Sequence, residues 1–173
     1  MTTKQQNILS SALYLFSTNG FEATSTRTIA QKASVSEGLI FRHFENKVGL
    51  LIQLLNIGQS KLENKIKSFD KLSHPKVILK HIIALPFNIS GDIKDYWRLY
   101  YSLKWQMDIR PFLFLENVKT KCLNAFKSLD YSDPNSESEM FMLIFEAAII
   151  HVLQNPDSNH HILYNTILKK YEL

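Results

Sequence analysis

At 173 residues, with 45% hydrophobic and 21% charged side chains, the chain can bury one core or two small ones. By bulk composition it is neither a disordered nor a membrane protein. Five glycines and five prolines are few for an all-β protein and ordinary for a helical one, and 20 basic against 16 acidic residues leave a net charge of +4. That charge tolerates a polyanionic partner without requiring one. The one cysteine, Cys122, excludes an intrachain disulfide, and its neighbours Leu123, Ala125 and Phe126 mark it as a buried, inert thiol. The start, Thr2 to Gln6, is too polar for a signal peptide, and the longest apolar run, Met140 to Ile150, is short and contains Glu146. No membrane association is expected, and the cytoplasm is the default location.

Helical periodicity runs through nearly the whole chain. Ile8, Leu9, Ala12, Leu13, Leu15 and Phe16 form a stripe that stops at Asn19-Gly20, a helix-ending pair. A short helix fits Arg27 to Ala33 behind three possible caps, Thr24, Ser25 and Thr26, and another fits Glu37 to His43 behind Ser36. A long helix starts near Asn46 and ends by Phe69. Ser73-His74-Pro75 starts the next, with proline in its first turn, and it reaches about Pro86. An aromatic helix follows over 92–107, then one from Pro111 to Leu129. Ser136-x-x-Glu139 reads as a capping box before an apolar run to Leu153, and a last helix carries Leu163, Tyr164, Ile167, Leu168 and Tyr171. The sum is an all-α chain of nine helices. A functional division falls near Lys47, giving a 1–47 unit of short helices and a 48–173 unit of longer ones with large side chains.

Residues Gly20 to Phe44 carry the functional argument. Two helices of about two turns joined by three or four residues make a helix-turn-helix. Ile29, Ala30 and Ala33 give the first a narrow apolar face, Val35 plugs the turn, and Ile40 and Phe44 anchor the second. The outer face of the second then holds Ser36, Glu37, Gly38, Leu39, Phe41, Arg42 and His43. A helix fits the DNA major groove, where Arg42 can donate two hydrogen bonds to guanine and His43 one to a base or phosphate. Gly38 lets backbone approach backbone. Thr26 and Arg27 open the preceding helix, whose N-terminus favours a phosphate, and Lys47 adds a point charge. The first 47 residues hold five basic side chains (Lys4, Arg27, Lys32, Arg42, Lys47) and three acidic ones (Glu22, Glu37, Glu45), a net of +2.

From Ile8 to Leu51 the sequence resembles the DNA-binding region of the TetR/AcrR family of bacterial regulators. The matching residues are Ala12-Leu13-x-Leu15-Phe16, Gly20-Phe21-x-Ala23-Thr24-Ser25, Ile29-Ala30-x-x-Ala33, Val35-Ser36-x-Gly38-x-Ile40-Phe41-x-His43-Phe44 and Lys47. Four positions depart from the pattern. Ser34 stands where glycine is usual, Glu37 where a basic residue is common, Leu39 where a small or polar one is usual, and Phe41 where tyrosine is usual.

The resemblance implies that the middle helices enclose a pocket for a small hydrophobic or aromatic effector. Phe87, Trp97, Tyr100, Tyr101, Trp105 and Phe112 are its candidate lining, although aromatics of this kind more often only fill a core. It also implies a homodimer built from the last two helices. The 140–153 run is apolar almost all round and needs two buried faces, and Phe141, Phe145, Ile149, Ile150, Leu163 and Ile167 are the candidates for the seam. The expected function is a regulator, in the first place a repressor, that binds a palindromic operator in double-stranded DNA as a homodimer and is released by its effector. No cofactor is expected, and six histidines without partners at ligand spacing give no metal site. A helical carrier or enzyme with a non-functional helix-turn-helix is the alternative, against which stands the lack of a phosphate loop, an HExxH or a nucleophile elbow. A DNA-binding architectural protein without a ligand is a third.

Overall fold

The computed structural model describes residues 2–104 and 113–173. They form nine α-helices: α1 (Thr3–Asn19), α2 (Thr26–Lys32), α3 (Glu37–Phe44), α4 (Lys47–Lys67), α5 (Pro75–Ala84), α6 (Asp92–Leu103), α7 (Leu113–Ser128), α8 (Pro134–Gln154) and α9 (His161–Tyr171). Short 3-10 turns follow α4 and α5, and no strand occurs among the described residues.

The helix ends follow local chemistry. A capping box starts α1, in which Thr2 accepts from the Gln5 backbone N–H while the Gln5 side chain accepts from the Thr2 N–H. Gly20 ends it at φ +87°, a conformation that glycine adopts without strain. Pro75 opens α5 as expected. The start of α8 corrects the sequence reading. Asp133 caps it by accepting from the Ser136 N–H at 3.1 Å, and Pro134 takes the first helical position. The helix therefore begins two residues before Ser136, because proline's fixed φ suits a first turn and removes one orphan donor.

By internal contacts the chain divides into two compact units. The first holds α1 to α3, α4 as far as Lys61, and α6; the second holds α5, α7, α8, α9 and the end of α4. The unit with the helix-turn-helix thus extends past the 1–47 boundary drawn from sequence. The reason lies in its core. Ile8, Ala12 and Phe16 of α1, Ile29 and Ala30 of α2, Ile40 and Phe44 of α3, and Leu50, Leu51 and Leu54 of α4 are buried together with Tyr96, Leu99 and Leu103 of α6. Without α6 and the first turns of α4, that apolar surface would face water.

In the second unit Phe126 of α7 meets Phe141 of α8 and Tyr171 of α9 at ring-centroid distances of 5.6 and 6.0 Å. Cys122 is fully buried on α7, and desolvation pushes its thiol up to about 12. Helix α8 does have two apolar faces, but three residues expected at a dimer seam lie on the inner one. Phe141, Phe145 and Ile149 are buried in their own unit. The outer face carries Met140, Leu143 at 66% exposure, Ala147 and Ile150, a spacing of three, four and three that keeps them on one side. On α9, Ile162 is 78% exposed and Leu163 also faces out, whereas Ile167 is buried. An apolar groove of about 450 Å³ runs between the two helices, lined by Ile144, Ala147, Ala148, His151, Leu163 and Ile167. No helix among the described residues is long and apolar enough to cross a membrane.

Candidate nucleic-acid interface

Ser25, the middle of the three candidates, caps α2 by accepting from the Thr28 N–H at 3.0 Å. Its neighbours are used differently. Thr24 is buried and donates to the Gly20 carbonyl at 2.7 Å, and Thr26 donates its hydroxyl to Glu37 at 2.5 Å. At the turn, Ser34 takes a left-handed φ of +54° and the Val35 N–H donates to the Ala30 carbonyl at 3.0 Å. A glycine would enter that conformation with less strain, so the departure at position 34 leaves the turn in place under tension. Ser36 caps α3 without a side-chain bond.

Ile40 and Phe44 bury the inner side of α3, as their spacing requires. Gly38, Phe41 and Arg42 lie exposed on the other, Phe41 at 46%. Arg27 and Arg42 are exposed and form no ion pair among the described residues. Four expected contact residues are placed otherwise. Leu39 is half-buried and packs against the core. Glu37 is held by Thr26, which couples the two helices and takes the Thr26 hydroxyl away from any phosphate. The Lys47 ammonium donates to the Phe21 carbonyl at 3.0 Å and sits 4.2 Å from the Phe21 ring centroid, so it clasps α4 to the α1–α2 corner. His43 is half-buried, edge-on to Phe44, and its Nδ1 lies 3.3 Å from the Gln5 amide nitrogen. Gln5 was not among the expected residues, although Thr2-x-x-Gln5 has capping-box spacing.

The effector candidates fall in different units. On α6 of the first, Trp97 and Tyr100 are buried, and Trp97 stacks on Tyr101 at 5.8 Å with the rings 23° apart. In the second, Phe87 packs against Tyr164 at 5.2 Å and borders a cavity of about 320 Å³ with Asn88, Ser158, Asn159, His160 and His161. Trp105 and Phe112 lie outside the described residues. No group of three or more His, Cys, Asp or Glu side chains is gathered for a metal among the described residues.

The segment with this geometry, residues 8–54, matches the model of bacterial regulatory proteins, tetR family. Through it the helix-turn-helix segment of this chain is similar to the DNA-binding region of the tetR family. The HTH-type transcriptional regulator QacR of Staphylococcus aureus is 36% identical over 105 residues, 57% of this chain and 56% of that protein. Three other curated relatives are matched over 34%, 30% and 40% of their length, so the chain spans between about a third and a little over half of these four relatives. The fold extends further than the sequence similarity. A transcriptional regulator of Aquifex aeolicus VF5 superposes with a TM-score of 0.71 at 16% identity, over 98% of both chains. AibR, solved in complex with isovaleryl coenzyme A and operator DNA, gives 0.71 at 18% identity over 95% of this chain and 96% of that one. The fold shared with these two structures therefore covers the helices on both sides of the matched segment.

Proposed function

We propose that this chain is a transcriptional regulator, in the first place a repressor, that binds a palindromic operator in double-stranded DNA as a homodimer and is released by a small hydrophobic or aromatic effector. The observation that carries the reading is the division of α3. Its inner side is anchored by Ile40 and Phe44, and its outer side presents Gly38, Phe41 and Arg42 without a partner among the described residues. A guanidinium there suits guanine, and an exposed ring suits a thymine methyl. The match of residues 8–54 to the tetR-family model and the operator DNA bound by AibR support the same reading.

The homodimer reading rests on Met140, Leu143, Ala147, Ile150, Ile162 and Leu163, whose exposed apolar side chains form one face of α8 and α9. A two-fold pairing of that face gives two reading helices, and linked heads multiply an affinity that a net of +2 per head leaves modest. The effector reading rests on isovaleryl coenzyme A in AibR and on the aromatic side chains of this chain.

Selection of bound duplexes from a random-sequence pool tests the function. The expected product is a palindrome whose half-site centres lie about 34–36 Å apart, one DNA turn. Recovery of no enriched sequence, with binding that is equal for all duplexes, overturns the operator reading.

A further inference from the structure

Two bonds made by the Gln5 side chain at the start of α1 determine what His43 can offer on α3. The Thr2 N–H donates to the Gln5 Oε1 at 2.8 Å, which commits the oxygen end of the Gln5 amide to the capping box. The other end, the NH2 group, is the one 3.3 Å from His43 Nδ1. An amide nitrogen has only hydrogens to give, so Nδ1 must accept, and a neutral imidazole that accepts at one nitrogen carries its hydrogen on the other. Turning the amide over would set its NH2 against the Thr2 N–H, donor against donor. We propose that Gln5 is a positioning residue that fixes His43 as the Nε2–H tautomer, so that the ring meets DNA as an obligate hydrogen-bond donor. DNA offers only acceptors along its phosphates, and acceptors on the major-groove edge of every purine. The inference rests on the reading of α3 as the DNA-contacting helix and adds a residue from α1, 38 positions away in sequence, that prepares it.

The tautomer is read by long-range proton–nitrogen correlation spectra of the histidine-labelled full chain at about pH 8, above the ordinary histidine range. Wild-type His43 should show one bare and one protonated nitrogen, with the hydrogen on Nε2. Gln5→Glu keeps the capping box but presents an acceptor to Nδ1, and should move the hydrogen to Nδ1 or protonate the ring. A wild-type spectrum with the hydrogen on Nδ1, or averaged over both nitrogens, overturns the proposal.

Binding to a mixed-sequence duplex and to a selected duplex supplies the second arm. Gln5→Met should weaken binding about threefold, the lower range of one net hydrogen bond, and should change it less than about twofold when His43 is already alanine. Equal loss on both duplexes places the acceptor on phosphate, and loss confined to the selected one places it on a base edge. The same loss with and without His43 overturns the positioning role. A wild-type chain that binds neither duplex overturns the DNA-binding reading itself, a result that the spectrum of the free protein does not depend on.

Discussion

The Thr26 hydroxyl donates to a Glu37 carboxylate oxygen at 2.5 Å, so the first residue of α2 is bonded to the first residue of α3. The carboxylate also lies at the N-terminus of α3, where the helix dipole favours negative charge. An acidic residue that sequence alone would count against phosphate binding thus becomes a strut of the motif. Thr26→Val should remove the bond without changing the volume and lower stability by about 1–2 kcal/mol. Thr26→Ser should restore most of it. Urea unfolding of the three proteins checks this, and equal midpoints for wild type and valine would show that the contact carries no weight.

Two glycines eleven residues apart, Gly38 on α3 and Gly49 on α4, should respond in opposite ways. A methyl group on Gly49 would run into the Phe44 carbonyl, which is backbone and cannot move aside. Gly49→Ala should therefore destabilise by about 3 kcal/mol or more. A methyl on Gly38 meets nothing within 4 Å, and alanine there should stabilise α3 by about 0.5–1 kcal/mol. The open space at Gly38 is the space proposed for DNA, so the more stable Gly38→Ala protein should bind its operator more weakly. Unchanged affinity would place the DNA elsewhere.

Arg42 is exposed and unpaired among the described residues, and its predicted role is to read a base. Arg42→Ala should cost about 1–3 kcal/mol on the operator and relax the preference at one base pair in each half-site. Anisotropy titrations on the operator and on single-position variants measure both. A loss that is the same for all sequences would assign Arg42 to phosphate.

Leu143 and Ile149 lie on opposite faces of α8. Leu143→Asp adds a charge to the exposed face, and should give a folded monomer whose operator binding collapses. Ile149→Asp places the charge inside the unit and should unfold it, at a cost of several kcal/mol. Sedimentation with circular dichroism distinguishes the outcomes, and a dimeric Leu143→Asp protein would remove this face from the interface.

Cys122 gives a test of the second unit as a whole. Burial that lifts the thiol to about 12 leaves almost no thiolate at neutral pH, and the side chain has no exposed surface. A maleimide or disulfide reagent should modify it only as fast as the unit opens, with the rate rising steeply through the urea transition. Fast labelling of the native protein would show that α7 opens locally.

Sequence alone was enough to find the nine helices of the described residues, because apolar spacing, prolines and caps are local signals that need no partner. It was enough for the helix-turn-helix as well, where Ile29, Ala30, Val35, Ile40 and Phe44 stand at fixed offsets within sixteen residues. The assignments that changed depend on distant groups. Periodicity shows that α8 has two apolar faces but not which of them its own bundle covers, since both look alike until α7 and α9 are in place. Leu39, Glu37 and Lys47 occupy contact positions by offset, yet the core, Thr26 and the Phe21 carbonyl claim them first. The Gln5–His43 bond joins α1 to α3 across the fold, and no local rule names that pair. Local propensity and patterning decide which segments are helical, whereas the use of a polar or two-faced residue is decided by whatever group tertiary packing brings within bonding distance.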